Sequence, residues 1–188
     1  MTAIDAPLLR RRTRTRPAVP AAVRGAATAT ALVGGWIVAV TAARSLHPSE
    51  ACRTVALFAH LAALVVGLGA VIVIDWLGIL WALGRRTFAE VTRTASAVHG
   101  LIWAGFTVLV VSGTLLEPNT GAALTRLKLA LVLVIAVNGL HAHTLQPQLR
   151  YARDDVEPDL LARAAATAVV SQLGWWTAVG IGFLNTPR

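Results

Sequence analysis

The chain has 188 residues, of which 56% are hydrophobic and 14% charged, with a formal net charge of +8 and a mean hydropathy of +0.65. Soluble domains carry about 25% charged residues, so this composition excludes an ordinary soluble domain and indicates one membrane domain. The single cysteine, Cys52, excludes a disulfide or a Cys-x-x-Cys pair within the chain, and the single methionine, Met1, excludes a thioether-rich copper(I) site.

The first segment, residues 1–24, is rich in arginine and proline and predicts a disordered basic tail on the cytoplasmic side. We expect Arg10 to Arg16 to contact anionic lipid headgroups. The apolar stretch that follows, about 25–46, is long enough for a spanning helix. A cleaved secretion signal is the alternative interpretation, because the small residues of "VTAARS" suit cleavage, and cleavage would leave four helices.

Four further apolar stretches reach or exceed the ~20 residues that a membrane-spanning helix needs. They cover about 54–83, 95–116, 122–146 and 164–185. The sequence therefore predicts an all-α integral membrane bundle of five transmembrane helices, in which residues 25–188 form a single domain. Small residues at Ala63 and Gly67, at Gly78 and Ala82, and at Gly180 and Gly182 predict close helix packing.

The distribution of basic residues predicts the orientation of this bundle. With a cytoplasmic N-terminus, twelve Arg and Lys residues fall on the cytoplasmic side and five on the outer side. This bias fits an N-terminus inside and a C-terminus outside, in a multi-pass protein of the cell membrane. Because the arginines cluster beside apolar segments, the expected partner is the lipid bilayer and not nucleic acid.

Polar residues from three spans are predicted to lie in one layer of the cytoplasmic half. Along their helices, Asp75 is about 15 Å from Arg85, His99 about 9 Å from Arg93, and His141 about 13 Å from Arg150. Asn138 shares the face of His141, and His143, two residues further on, is expected to point the other way. Ionisable side chains in a bilayer are costly, so such a layer is a candidate functional site.

The sharpest interpretation of this layer is a cofactor site. Imidazoles of His99 and His141 would ligate haem b or a divalent metal, with Asn138 and Asp75 as orienting groups. Trp103, together with the other mid-membrane tryptophans Trp36, Trp175 and Trp176, would line the pocket. The protein would then act in electron transfer or redox sensing. The structural alternative is that these histidines snorkel to the interface or bond a carbonyl of a neighbouring helix, that Asp75 pairs with Arg85 or Arg86 or lies protonated in the core, and that the tryptophans only pack.

A second candidate pair lies nearer the outer side. His60 follows Arg53 by seven residues, and Lys128 is at a similar depth on the fourth span. This pair is separate from the inner layer, because His60 and Asp75 are about 22 Å apart along one helix.

Two other classes of function stay open on the sequence. One is a proton- or ion-coupled small transporter that uses Asp75, His99 and His141. The other is a non-catalytic assembly subunit that binds a protein partner or forms a homo-oligomer. No catalytic motif such as GxSxG or HExxH is present.

Three stretches in order, "FAHLAALVVGLGAVIVIDWLGILW", "VHGLIWAGFTVLVVSGTLL" and "LTRLKLALVLVIAVNGLHAHTL", carry a family resemblance. Over about residues 54–146 the chain resembles bacterial copper resistance protein D-like families and related small polytopic membrane proteins. The shared features are an early His60, the segment Ser112–Thr114 and the run "LKLALVLVIAVNG". The chain differs in having no core methionine and one cysteine, so no copper ligand is assigned by this resemblance.

Overall fold

The computed structural model describes residues 21–152 and 156–185. The predicted headgroup contacts at Arg10–Arg16 lie outside the described residues. Within them the chain is all-helical, with five helices and no strand. The helices are α1 Ala21–Ser45, α2 Glu50–Ala82, α3 Phe88–Leu115, α4 Ala123–Tyr151 and α5 Pro158–Leu184. By length and composition all five suit a membrane span, which confirms the predicted five-helix class.

All five helices are longer than their predicted apolar stretches, and three of them show local reasons for their ends. The α3 helix begins at Phe88 because Thr87 and Glu90 form a capping box, in which each side chain bonds the other residue's backbone N–H. The α5 helix begins at Pro158, whose fixed φ and missing donor suit the first helical position. The α4 helix continues through Pro147 and ends at Tyr151.

Glycines allow the helices to pack in two close pairs. A Cβ atom on Gly105 of α3 would lie 2.9 Å from the Cα atom of Gly67 on α2, so the two backbones touch there. A Cβ atom on Gly174 of α5 would lie 2.7 Å from Ile135 Cγ1 on α4. The main packing is accordingly α2 against α3 and α4 against α5, while α1 lies against α3 and α4. Of the predicted small-residue positions, Gly78 and Gly180 face open space.

The outward surface of the bundle is apolar. Phe58 is 75% exposed, Val65 73% and Leu173 65%, which is typical of side chains that face lipid. The two ends of the bundle are named here by their loops. The 46–49 face carries the start of α2 and the end of α3, and the 83–87 face carries the end of α2 and the start of α3. The sequence predicts that the 46–49 face is the outer one.

The α2–α3 crossing generates a stability prediction. Gly105→Val should destabilise the protein by at least the ~1–3 kcal/mol typical of overpacking, because the added atoms meet backbone that cannot rotate away. Thermal unfolding in detergent would measure the loss. Gly100→Val is the matched control, since nothing lies within 4 Å of its Cβ position. Equal melting temperatures for the two variants would contradict the close crossing.

Candidate functional site

A cavity of about 480 Å³ opens among the five helices. Its walls are mainly apolar and include the aromatic side chains of Trp36, Phe106, Trp175 and Phe183. His60 near the start of α2 and Lys128 near the start of α4 also line it, so the cavity lies in the half of the bundle toward the 46–49 face. The second candidate pair of the sequence therefore shares one cavity.

His60 is held by a buried serine of the neighbouring helix. Its Nδ1 atom lies 3.0 Å from Ser112 Oγ, and Ser112 is 4% exposed. The Ser112 hydroxyl donates its hydrogen to the carbonyl oxygen of Val108 at 2.5 Å. A hydroxyl has only one hydrogen to donate, so a Ser112 hydroxyl that donates to Val108 leaves its oxygen to accept from an Nδ1–H of His60. In that tautomer Nε2 is the lone-pair nitrogen of the imidazole.

Lys128 places an amine on the same apolar cavity. Its Nζ atom lies beside Gly182 of α5, 3.5 Å from where a Cβ atom of that residue would sit. No aspartate or glutamate of the described residues lines the cavity. An ammonium ion in such surroundings is expensive unless an acceptor or an anion accompanies it. Lys128 therefore places a basic group on a mainly apolar wall.

Trp36 contributes a further hydrogen-bond donor beside this cavity. The side chain lines the wall, and its Nε1 atom is buried. Among the described residues it has no hydrogen-bond partner. Buried polar groups usually have one, so this donor is an unexplained feature of the wall formed by α1.

An ion-pair cluster closes the 46–49 face next to the cavity. The carboxylate of Glu117 lies 3.4 Å from Arg53 Nη1 and 3.5 Å from His47 Nδ1. Glu117 itself has a φ of 48°, a left-handed conformation that is uncommon for this residue type. Its chain neighbours Leu116 and Pro118 line the cavity. The cluster thus fixes the loop after α3 at the cavity wall.

The residues of the predicted inner layer, Asp75, His99 and Asn138, each contact a different partner. Gln172 Nε2 of α5 donates to Asp75 Oδ2 of α2 at 2.6 Å, and Trp176 Nε1 donates to Gln172 Oε1 at 2.9 Å. Arg86, one of the alternative partners of Asp75, is instead 3.4 Å from Glu90. In the described part of the chain, no hydrogen bond or ion pair joins Asp75 to His99 or His141.

The histidine that contacts His99 is His143 and not the expected His141. The rings of His99 and His143 stack, with centroids 4.8 Å apart and planes 21° apart. His141 is exposed. Trp103 does lie with His99, as predicted, at 6.4 Å between ring centroids in an edge-to-face arrangement. The contact with His143 shows that the expected orientation of these two histidines on α4 toward α3 was wrong.

Asn138 bonds the neighbouring helix. Its Nδ2 atom donates to the carbonyl oxygen of Thr167 on α5 at 2.9 Å. The described residues contain no group of three or more His, Cys, Asp or Glu side chains that suits a metal ion. The haem or metal predicted at His99 and His141 has no test in these contacts and stays a prediction.

Ser112 and Gln172 are two network residues that the sequence does not place in a candidate site, although Gln172 shares a helix face with Trp176 at i,i+4 and is expected to bond across helices. The sequence did contain a signal for each, since both are polar side chains inside apolar stretches. What it lacked was the partner, because the bonds from His60 to Ser112 and from Gln172 to Asp75 join residues 52 and 97 positions apart.

Fold and cavity together define a small polytopic α-helical membrane protein with a ligand-sized internal space near one face. No family model, no curated protein and no solved structure matches the chain.

The placement of Asn138 and His141 generates a second stability prediction. Asn138→Ala should cost about 0.6–2 kcal/mol, because it removes a hydrogen bond between helices. His141→Ala should stay within about 0.5 kcal/mol, because the side chain is exposed. Unfolding of both variants in detergent measures the difference. A larger loss for His141→Ala would show that its ring is packed and not exposed.

Proposed function

We propose that this membrane protein binds haem b in the cavity, with His60 as an iron ligand, and acts in electron transfer or redox sensing. The observation that carries the proposal is the hydrogen bond between His60 and Ser112 on the wall of an apolar cavity. Histidines that ligate metals almost always donate their other ring N–H to an acceptor, which fixes the tautomer and the ring orientation. Ser112 is placed to act as that acceptor.

The remaining chemistry of the cavity favours an acidic macrocycle of this kind. Its volume of about 480 Å³ falls in the range of ~300–1,000 Å³ typical of small-molecule sites, which are mostly apolar with few polar groups. The walls suit an apolar ring system, and Lys128 suits a propionate. The chain would supply the ligand and the low dielectric, which tune the redox potential, while the cofactor supplies the redox chemistry.

The contacts of His99 support this cavity over the inner layer as the haem site. Two imidazoles that held one iron would each have to direct a ring nitrogen at it. The rings of His99 and His143 instead present their faces to one another. His60 has no such ring stacked on it among the described contacts.

Absorption spectroscopy tests the proposal. Purified protein titrated with hemin should show a Soret band and, after reduction, an α band of a protein-bound b-type haem. His60→Ala should lose these features, because the iron loses its imidazole, whereas His143→Ala and His99→Ala should keep them. A protein that stays colourless after titration would refute haem binding. Loss of the bands in His99→Ala with retention in His60→Ala would move the haem to the inner layer.

The role of Lys128 is tested by the affinity for hemin. Lys128→Met should raise the dissociation constant about tenfold or more, because a hydrogen bond to a charged group contributes ~1.5–3 kcal/mol. Lys128→Arg keeps the charge and should retain most of the affinity. Haem dimethyl ester, which lacks free carboxylates, should bind wild type and Lys128→Met equally well. If Lys128→Met weakened both compounds to the same degree, recognition of the carboxylate would be ruled out.

A further inference from the structure

The α2 span contains a half-buried carboxyl group, at Asp75. We propose that Asp75 is a proton-binding site of the folded protein, positioned by Gln172 and Trp176. This site is distinct from the proposed haem cavity, because Asp75 is about 22 Å from His60 along α2. Its existence does not depend on haem binding.

The position of Asp75 separates it from the other acidic residues of the helices. Glu50, Glu90 and Asp159 all lie in the first turn of their helices. There a carboxylate is close to the membrane edge, and the helix dipole favours its negative charge. Asp75 lies seven residues before the end of α2 at Ala82, which is about 10 Å from that end. It therefore lies outside the first turn, where the helix dipole would favour its negative charge.

The hydrogen bonds at Asp75 come from a side chain whose orientation is itself fixed. Gln172 Oε1 accepts from the indole N–H of Trp176 at 2.9 Å, so the amide nitrogen of Gln172 is the atom that faces Asp75. That nitrogen donates to Asp75 Oδ2 at 2.6 Å. A neutral amide supplies one hydrogen bond but no compensating charge.

The charged and titratable groups on the neighbouring elements are bound elsewhere or make no contact with this carboxyl group. The α2 helix packs against α3 and α5. The titratable residues on these two helices and in the 83–87 loop are Arg85, Arg86, Glu90, Arg93, His99, Asp159 and Arg163. Arg86 contacts Glu90, His99 stacks on His143, and Arg163 contacts Asp159. None of them forms an ion pair with Asp75 within the described residues.

These observations favour the neutral carboxylic acid. A carboxylate without a cation in the apolar interior is far more costly than the neutral acid, and such a group neutralises by binding a proton. The acid form also keeps a carbonyl oxygen for the Gln172 amide, so it retains the bond between α2 and α5. Loss of the proton would leave an uncompensated charge at this contact and weaken the packing of the two helices.

Infrared spectroscopy of the full chain in detergent, without added hemin, detects the proton directly. At neutral pH the wild-type spectrum should contain the C=O stretch of a protonated carboxyl group, and Asp75→Asn should lose it. Asp75→Asn is a near-isosteric change that keeps an acceptor for Gln172, so it should fold. Asp159→Asn, at an exposed position in the first turn of α5, is the matched control and should retain the band.

A second variant and a second measurement complete the test. Gln172→Leu should move the band to higher frequency, because the carbonyl oxygen loses its hydrogen bond. As pH rises, wild type should lose stability relative to Asp75→Asn, because its folded state binds a proton that the unfolded state releases. The absence of a band that depends on Asp75 at neutral pH would overturn the proposal. So would a stability difference between the two proteins that does not change with pH.

Discussion

A polar group inside a bilayer has no water to bond, and this constraint accounts for most side-chain contacts in the bundle. Many hydroxyl groups find a hydrogen-bond acceptor within their own helix, as Thr107 and Thr114 do by donating to carbonyl oxygens one turn earlier in α3. Larger polar groups form hydrogen bonds between helices, as Asn138 does with Thr167. His60 and Lys128 differ from these residues, because they line a cavity whose walls are mainly apolar.

The cavity follows from how the helices pair. Glycine contacts bring α2 close to α3, and α4 close to α5, while the contacts between these two pairs are fewer. The Trp175 side chain lies where the pairs meet, since its ring contacts the Gly67 position and it belongs to the core cluster with Leu68 and Ile135. Beyond this core, toward the 46–49 face, residues of all five helices surround open space. Close packing within each pair therefore leaves a cavity between them.

The sequence was sufficient for the number and type of the elements, because apolar length alone identifies a membrane span. A constant rise per residue also predicts relative levels on neighbouring helices, and His60 and Lys128 do line one cavity while His99 contacts His143 of α4. The sequence does not determine in the same way how α4 is rotated about its own axis. His141 and His143 differ by about 200° around α4, and which of them meets α3 depends on packing elsewhere, such as Trp103 against Gly139. The start of α3 was missed for a different reason: residues 88–94, "FAEVTRT", mix apolar with charged and hydroxyl side chains and so lie outside the apolar stretch, although Thr87 and Glu90 have the spacing of a capping box.

The two proposed sites differ in the physical problem that each one solves. At the cavity the chain presents donors and a cation without an anion, which a ligand with acceptor groups would satisfy. At Asp75 the chain presents an acceptor without a cation, and the smallest species that removes its charge is a proton. His60 and Asp75 lie about 22 Å apart along α2, so a charge at either proposed site has to be compensated near that site. The two proposed sites are too far apart for a charge at one to serve as the counter-ion of the other. A change of redox state in the cavity, or of protonation at Asp75, would therefore act first on the helices that form that site.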